Sequence, residues 1–94
     1  MKLLSITQSH NPDKKLDAKF ETERGTKTVS FGAKGMDDYT KTHDDAQKER
    51  YRTRHAKDLN TGDPTRPGYL SWWLLWNKPT LGQSIADYKR RFKL

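Results

Sequence analysis

Cysteine is absent from the 94 residues, which excludes a disulfide staple, a thiolate zinc site and a cysteine nucleophile. The absence fits a reducing compartment. Long apolar runs are absent too, since nothing approaches the roughly 18 apolar residues that a membrane span needs. The opening MKLLSITQSH has one lysine and four apolar residues before it turns polar, too short for the apolar region of a secretory leader. Apolar residues are scarce overall, at 31% of the chain against 33% charged. These shortages point to a soluble, intracellular protein that is neither secreted nor bound to a membrane.

A chain of this length forms one domain, here residues 1–94, and buries only about 60 to 65% of the surface its unfolded form exposes. Its core must come from a short list of large side chains: the three tryptophans, Phe20, Phe31, Phe92, the tyrosines and a few aliphatics. Aromatics bury the most area per residue, so a polar chain can still fold around them.

Charge is plentiful and uneven. The formal net charge is +7. Residues 78–94 carry five Lys/Arg against a single Asp, so over half the excess lies in the last seventeen residues. A local positive field attracts DNA, RNA or an acidic protein face and speeds encounter with them.

The local pattern predicts a small antiparallel β-sheet of about three strands followed by two or three helices, an α+β domain. Leu4 and Ile6 alternate with polar neighbours and predict a first strand ending near Ser9, and His10–Lys15 is turn chemistry. Leu16, Ala18 and Phe20 share one face of a second strand ending at Thr22, with Asp17, Lys19 and Glu21 on the other. A turn centred on Arg24-Gly25 returns the chain through Lys27–Phe31, with Val29 and Phe31 inward. Gly32 and Gly35 end the sheet in a loop. Thr42 or Asp44 caps a helix over about Asp45–Asp58, whose thin apolar stripe is Tyr51, His55 and Leu59. Asn60–Gly68 is a loop, and Tyr69–Trp76 is an enclosed helix, apolar nearly all round apart from Ser71. After the break at Asn77-Lys78-Pro79, Thr80 and Gln83 form a capping box, and Leu81, Ile85, Tyr88 and Phe92 repeat at helical spacing.

The series FGAKGMDDYT from Phe31, Tyr51-x-x-Arg54-His55, Gly68-x-Leu70-Ser71-x-Trp73-x-Leu75-Trp76-Asn77-Lys78-Pro79-Thr80 and Ser84-Ile85-x-x-Tyr88-x-x-Arg91-Phe92 resembles a family of short, basic, uncharacterised proteins. They are encoded mostly by large DNA viruses, with some phage and protist members. The similarity runs roughly from Phe20 to Phe92. It implies a viral setting and a single compact domain, and it carries no mechanism or catalytic residue.

Candidate chemistry is sparse, and no catalytic residue, metal or cofactor is expected. His43, His55 and Asp38 are the only plausible metal set, and they match none of the zinc spacings. Asp37-Asp38 could supply carboxylates, but so small a core leaves little room for the dry pocket that acid–base work needs, and Asp38 reads as a turn or cap acceptor. The GxxG of Gly32 and Gly35 has the form of the phosphate clamp of a KH domain, but it follows a strand and precedes a helix that is acidic at its start, so it reads as a plain loop.

Two functional readings remain. In the first, Arg50, Arg52, Arg54 and Lys57 on the middle helix join Lys78, Lys89, Arg90, Arg91 and Lys93 to bind nucleic-acid phosphates with low sequence specificity. In the second, the protein is a structural or interaction component, a minor virion protein or a modulator of a host partner. It then docks on a viral or host protein with an acidic surface through Tyr69 and Trp72, provided that Trp72 is exposed. Trp73 and Trp76 are expected in the core.

Overall fold

The alternation along Leu16–Thr22 places one apolar face on a strand that is paired on both sides. In a computed structural model describing residues 1–94, that strand is the centre of a meander of Lys2–Gln8 (β1), Lys14–Thr22 (β2) and Gly25–Ala33 (β3), antiparallel in the order β1-β2-β3. The register sets Ala18 between Ile6 and Val29, and Leu16 beside Phe31. The first strand departs from its expected phase. A bulge between Leu3 and Ser5 pairs Leu3 with Phe20, burying Leu3 and leaving Leu4 42% exposed. Period-2 reading cannot see a bulge, because one extra residue reverses the faces. The hairpin turn also falls one residue early. Thr22 pairs with Gly25, which takes φ 113°.

After the sheet come Tyr39–Thr42 (α1), Asp45–His55 (α2), a 3-10 turn over Ala56–Thr61, Pro67–Leu70 (α3) running into a π-helical turn over Ser71–Leu75, and Leu81–Phe92 (α4). The fold is α+β as the pattern predicts, with four α-helical segments, two of them only four residues long. The helix placed at Tyr69 begins two residues earlier because Pro67 occupies its first turn, where the missing N–H has no partner to lose. Gly68 lies inside that helix because a Cβ there would come within 2.8 Å of the Asp58 Cβ.

Helix α3 and the π-helical turn that follows it pack on the apolar face of the sheet at β3, and α4 packs on that turn. Phe20, Phe31, Leu70, Leu74 and Tyr88 are fully buried between the layers, and the Tyr88 hydroxyl donates to the Pro64 carbonyl at 2.6 Å. Thr80 caps α4 by accepting from the Gln83 N–H at 3.2 Å. Lys27 lies in register with Phe20, and its ammonium reaches out to the Thr65 hydroxyl at 3.0 Å.

Helix α2 has no buried residue. It attaches to the domain through Tyr51, whose ring stacks on Trp76 at 4.3 Å and on His55 at 4.2 Å. Trp76 is buried as expected, whereas the other two tryptophans exchange roles. Trp72 is buried, at 9% exposure, and Trp73 is the half-buried one. The segment is apolar nearly all round, so its residues offer no face from which to choose between them. It ends in a π turn, whose Trp76 N–H bonds to the Ser71 carbonyl at 3.1 Å, one residue wider than an α turn.

Candidate nucleic-acid interface

The break at Asn77-Lys78-Pro79 joins the tryptophan helix to the most basic run of the chain, and it is held from three sides. The Lys78 N–H donates to the buried Ser84 hydroxyl at 3.0 Å. The Asn77 amide donates to Asp87 at 2.7 Å. From α2, the Lys48 ammonium donates to the Asn77 carbonyl, and Arg52 donates to the Trp76 carbonyl at 2.9 Å.

Asp87 is the hub. Besides Asn77, its buried carboxylate accepts from Arg91 at 2.9 Å and from Arg90 at 2.7 Å. Arg91 first, then Asn77 and Arg90, hold its pKa well below the ordinary 3.8. The Arg91 guanidinium also lies 4.6 Å from the Trp73 ring centre, and Arg52 lies 4.8 Å from that of Trp72, a stacking that favours a planar cation.

Five cations, Lys48, Arg52, Lys78, Arg90 and Arg91, therefore gather at this junction, where Asp87 bonds Arg90 and Arg91. Asp45, which accepts the Tyr39 hydroxyl at 2.6 Å, adds a second negative charge near Lys48. Two of the cations, Lys48 and Arg52, feel the crowding. Burial lowers the pKa of Lys48, and Arg52 and Lys78 lower it further. Burial lowers Arg52 likewise, with Arg91 adding to the effect.

Of the nine cations proposed from sequence, Arg52, Lys78, Arg90 and Arg91 come together here. The remaining five do not. Lys89 points about 200° round α4 from Asp87, and Lys93 is the C-cap residue past the end of that helix. Arg50 and Arg54 sit on the far flank of α2, and Lys57 lies in the 3-10 turn. All five are exposed. Lys48 is the member that sequence reasoning missed, because its neighbours Asp44, Asp45 and Glu49 make that half of α2 read as acidic. Trp72 is buried and Tyr69 is half-buried edge-on to Phe92 at 5.7 Å, so neither stands free as a docking anchor.

The histidines are dispersed. Asp38 caps α1 and pairs with Lys15, His43 ends that helix at φ 52°, and His55 pairs with Asp58 at 3.0 Å. No group of three or more His or acidic side chains converges, and no helix is long and apolar enough to cross a membrane. A second polar cluster lies on the open face of the sheet, where Asp17 accepts from Ser9 and Ser30 and contacts His10. Ser30, then Ser9 and His10, hold its pKa well below normal.

Both depressed carboxylates bear on stability in acid. A carboxyl group whose pKa is lower in the folded state stabilises the fold above its unfolded value, and that contribution is lost as pH falls towards the folded value. Urea midpoints should stay flat from about pH 7 to 5 and drop below about pH 4. Asp87→Asn should flatten part of that drop.

Over residues 4–55 the sequence matches the family of unknown function DUF5754. This span covers nearly all of the sheet, α1 and α2, and stops short of the LSxWxLWNKPT segment. No curated protein and no solved structure matches the chain. The chain belongs to the DUF5754 family.

Proposed function

Taking the chain as a DUF5754 protein, we propose that it is a small, non-enzymatic nucleic-acid-binding protein that grips phosphates at the junction of α2 and α4, with little regard to sequence. The observation that carries this reading is the gathering of Lys48, Arg52, Lys78, Arg90 and Arg91 at one junction that holds only two acids, Asp87 and Asp45. Lys48 and Arg52 are held close to further cations, and a polyanion would relieve that repulsion. Lys78 is exposed and the Arg90 side chain is 78% exposed, so both keep donors for a phosphate. Contacts of this kind fix position without reading bases. Burial of Trp72 weakens the alternative of a structural or protein-docking component, since that reading needs an exposed aromatic anchor. The motif pattern adds a viral setting to the proposal, with action inside the infected cell or in the virion.

Single variants Lys78→Gln and Arg90→Gln test the site. Each should weaken binding to single-stranded DNA, duplex DNA and RNA by a similar factor and reduce the salt slope by about 1. Lys19→Gln, on the open sheet face, should change neither. Equal effects from all three variants would overturn the assignment of the junction.

A further inference from the structure

Across α2 from the basic junction lies a cleft of about 630 Å³, walled on one side by Arg50, Tyr51, Arg54 and His55 and on the other by the loop that follows β3. We propose that this cleft binds a small ligand that joins a phosphate monoester to a sugar and a flat ring, the chemical class of a nucleoside monophosphate. The volume suits such a ligand. The site is independent of the basic junction, because Arg50 and Arg54 lie on the opposite flank of α2 from Lys48 and Arg52.

The two arginines are four residues apart, exposed, and in none of the ion pairs of the fold. Together they match the two charges of a phosphate monoester and offer it forked donors. Lys15 also lines the cleft, but it is neutralised by Asp38, which leaves the α2 wall as the place for the anion. The opposite rim carries exposed Asp37. An acid repels phosphate and accepts hydrogen bonds from vicinal hydroxyls, so it sets the direction of the ligand: phosphate on Arg50 and Arg54, ribose on Asp37. Leu75 and Trp76 give the cleft an apolar floor, and beyond the ribose, on the same rim as Asp37, Met36 at 64% exposure gives a polarisable cover for the flat ring.

The backbone around the cleft is as unusual as its side chains. Gly32 and Gly35 take φ 80° and 86°, and a Cβ on Gly32 would stand 2.8 Å from the Leu75 Cδ1. The π-helical turn over Ser71–Leu75 supplies two of the lining residues, Ser71 and Leu75. Positive φ is ordinary for glycine, but π turns are frequent at functional sites, where they shape a surface that a regular helix cannot.

Calorimetric titration of the intact chain with AMP, GMP, CMP and UMP tests the proposal, with inorganic phosphate and adenosine as separate arms. At least one nucleotide should bind one-to-one with Kd below about 1 mM, and phosphate or adenosine alone should bind at least about 10-fold more weakly, a difference of 1.4 kcal/mol. Arg50→Gln/Arg54→Gln should weaken the nucleotide by about 10-fold or more while melting at the wild-type temperature, and Lys78→Gln/Arg90→Gln should leave it unchanged. Wild type should prefer AMP to its 2′,3′-dideoxy form, and Asp37→Asn should lose that preference. No nucleotide binding up to about 1 mM, undiminished binding by the double arginine variant, or phosphate binding as tight as the nucleotide would overturn the proposal. Any of these results leaves the reading of the basic junction to its own test.

Discussion

Asp87→Ala should lower the stability of the domain by about 2–3 kcal/mol, which for a chain of this size is roughly 10–20 °C in Tm. Three losses combine. The Asn77 amide, buried with its residue, loses its acceptor, and a buried donor without a partner bears its full desolvation cost. Arg90 and Arg91 lose their shared carboxylate. These two side chains reach solvent, so their share is screened and small. Finally, the five cations of the junction lose one of the two acids near them, leaving only Asp45 beside Lys48. That last loss is electrostatic, so the deficit should shrink as salt rises. Thermal melts at low and high salt measure both size and origin. A deficit that salt does not change would place the cost in packing instead.

Trp76→Ala should be still more damaging, at about 3–5 kcal/mol, and its effect should be uneven across the fold. Trp76 is buried and stacks on Tyr51, the residue through which α2 meets the core. Helix α2 buries no residue of its own, so its other anchors are polar contacts: the bonds from Lys48 and Arg52 to the same short segment, Arg52 over Trp72, and Asp45 with the Tyr39 hydroxyl. Removing the indole takes away the stack and loosens the segment that receives those bonds. Amide exchange within Asp45–His55 should accelerate more than in β2, whose two ladders remain. Uniform loss of protection would mean that α2 is not the separately attached element described here.

The elements with regular periods were readable from sequence. The alternation of Leu16, Ala18 and Phe20 located β2, and Thr80 with Leu81, Ile85, Tyr88 and Phe92 located α4. What escaped was whatever broke or lacked a period. One bulged residue turned Leu3 inward and Leu4 outward, and the apolar block Tyr69–Trp76 had no period from which to choose between Trp72 and Trp73. The candidate site was half legible for a related reason. A cluster of cations is visible in composition, but convergence depends on which helical flank each occupies and on which acid gathers them. Asp87, the only acid among the last seventeen residues, is the centre of the network. Lys48 belongs to it through contact with Asn77, 29 residues away in sequence, a contact that no local pattern encodes.

The most direct test of the phosphate-gripping reading is a fluorescence-anisotropy titration of the wild-type protein against duplex DNA, single-stranded DNA and RNA at about 50 and 200 mM salt. Contacts from about four of the junction cations give a logarithmic salt slope near −3.6 on duplex DNA, a weakening of roughly 100-fold or more over that range. The account predicts micromolar or tighter binding at the lower salt with a slope of that size. No binding at the lower salt, or binding that salt leaves unchanged, would contradict it.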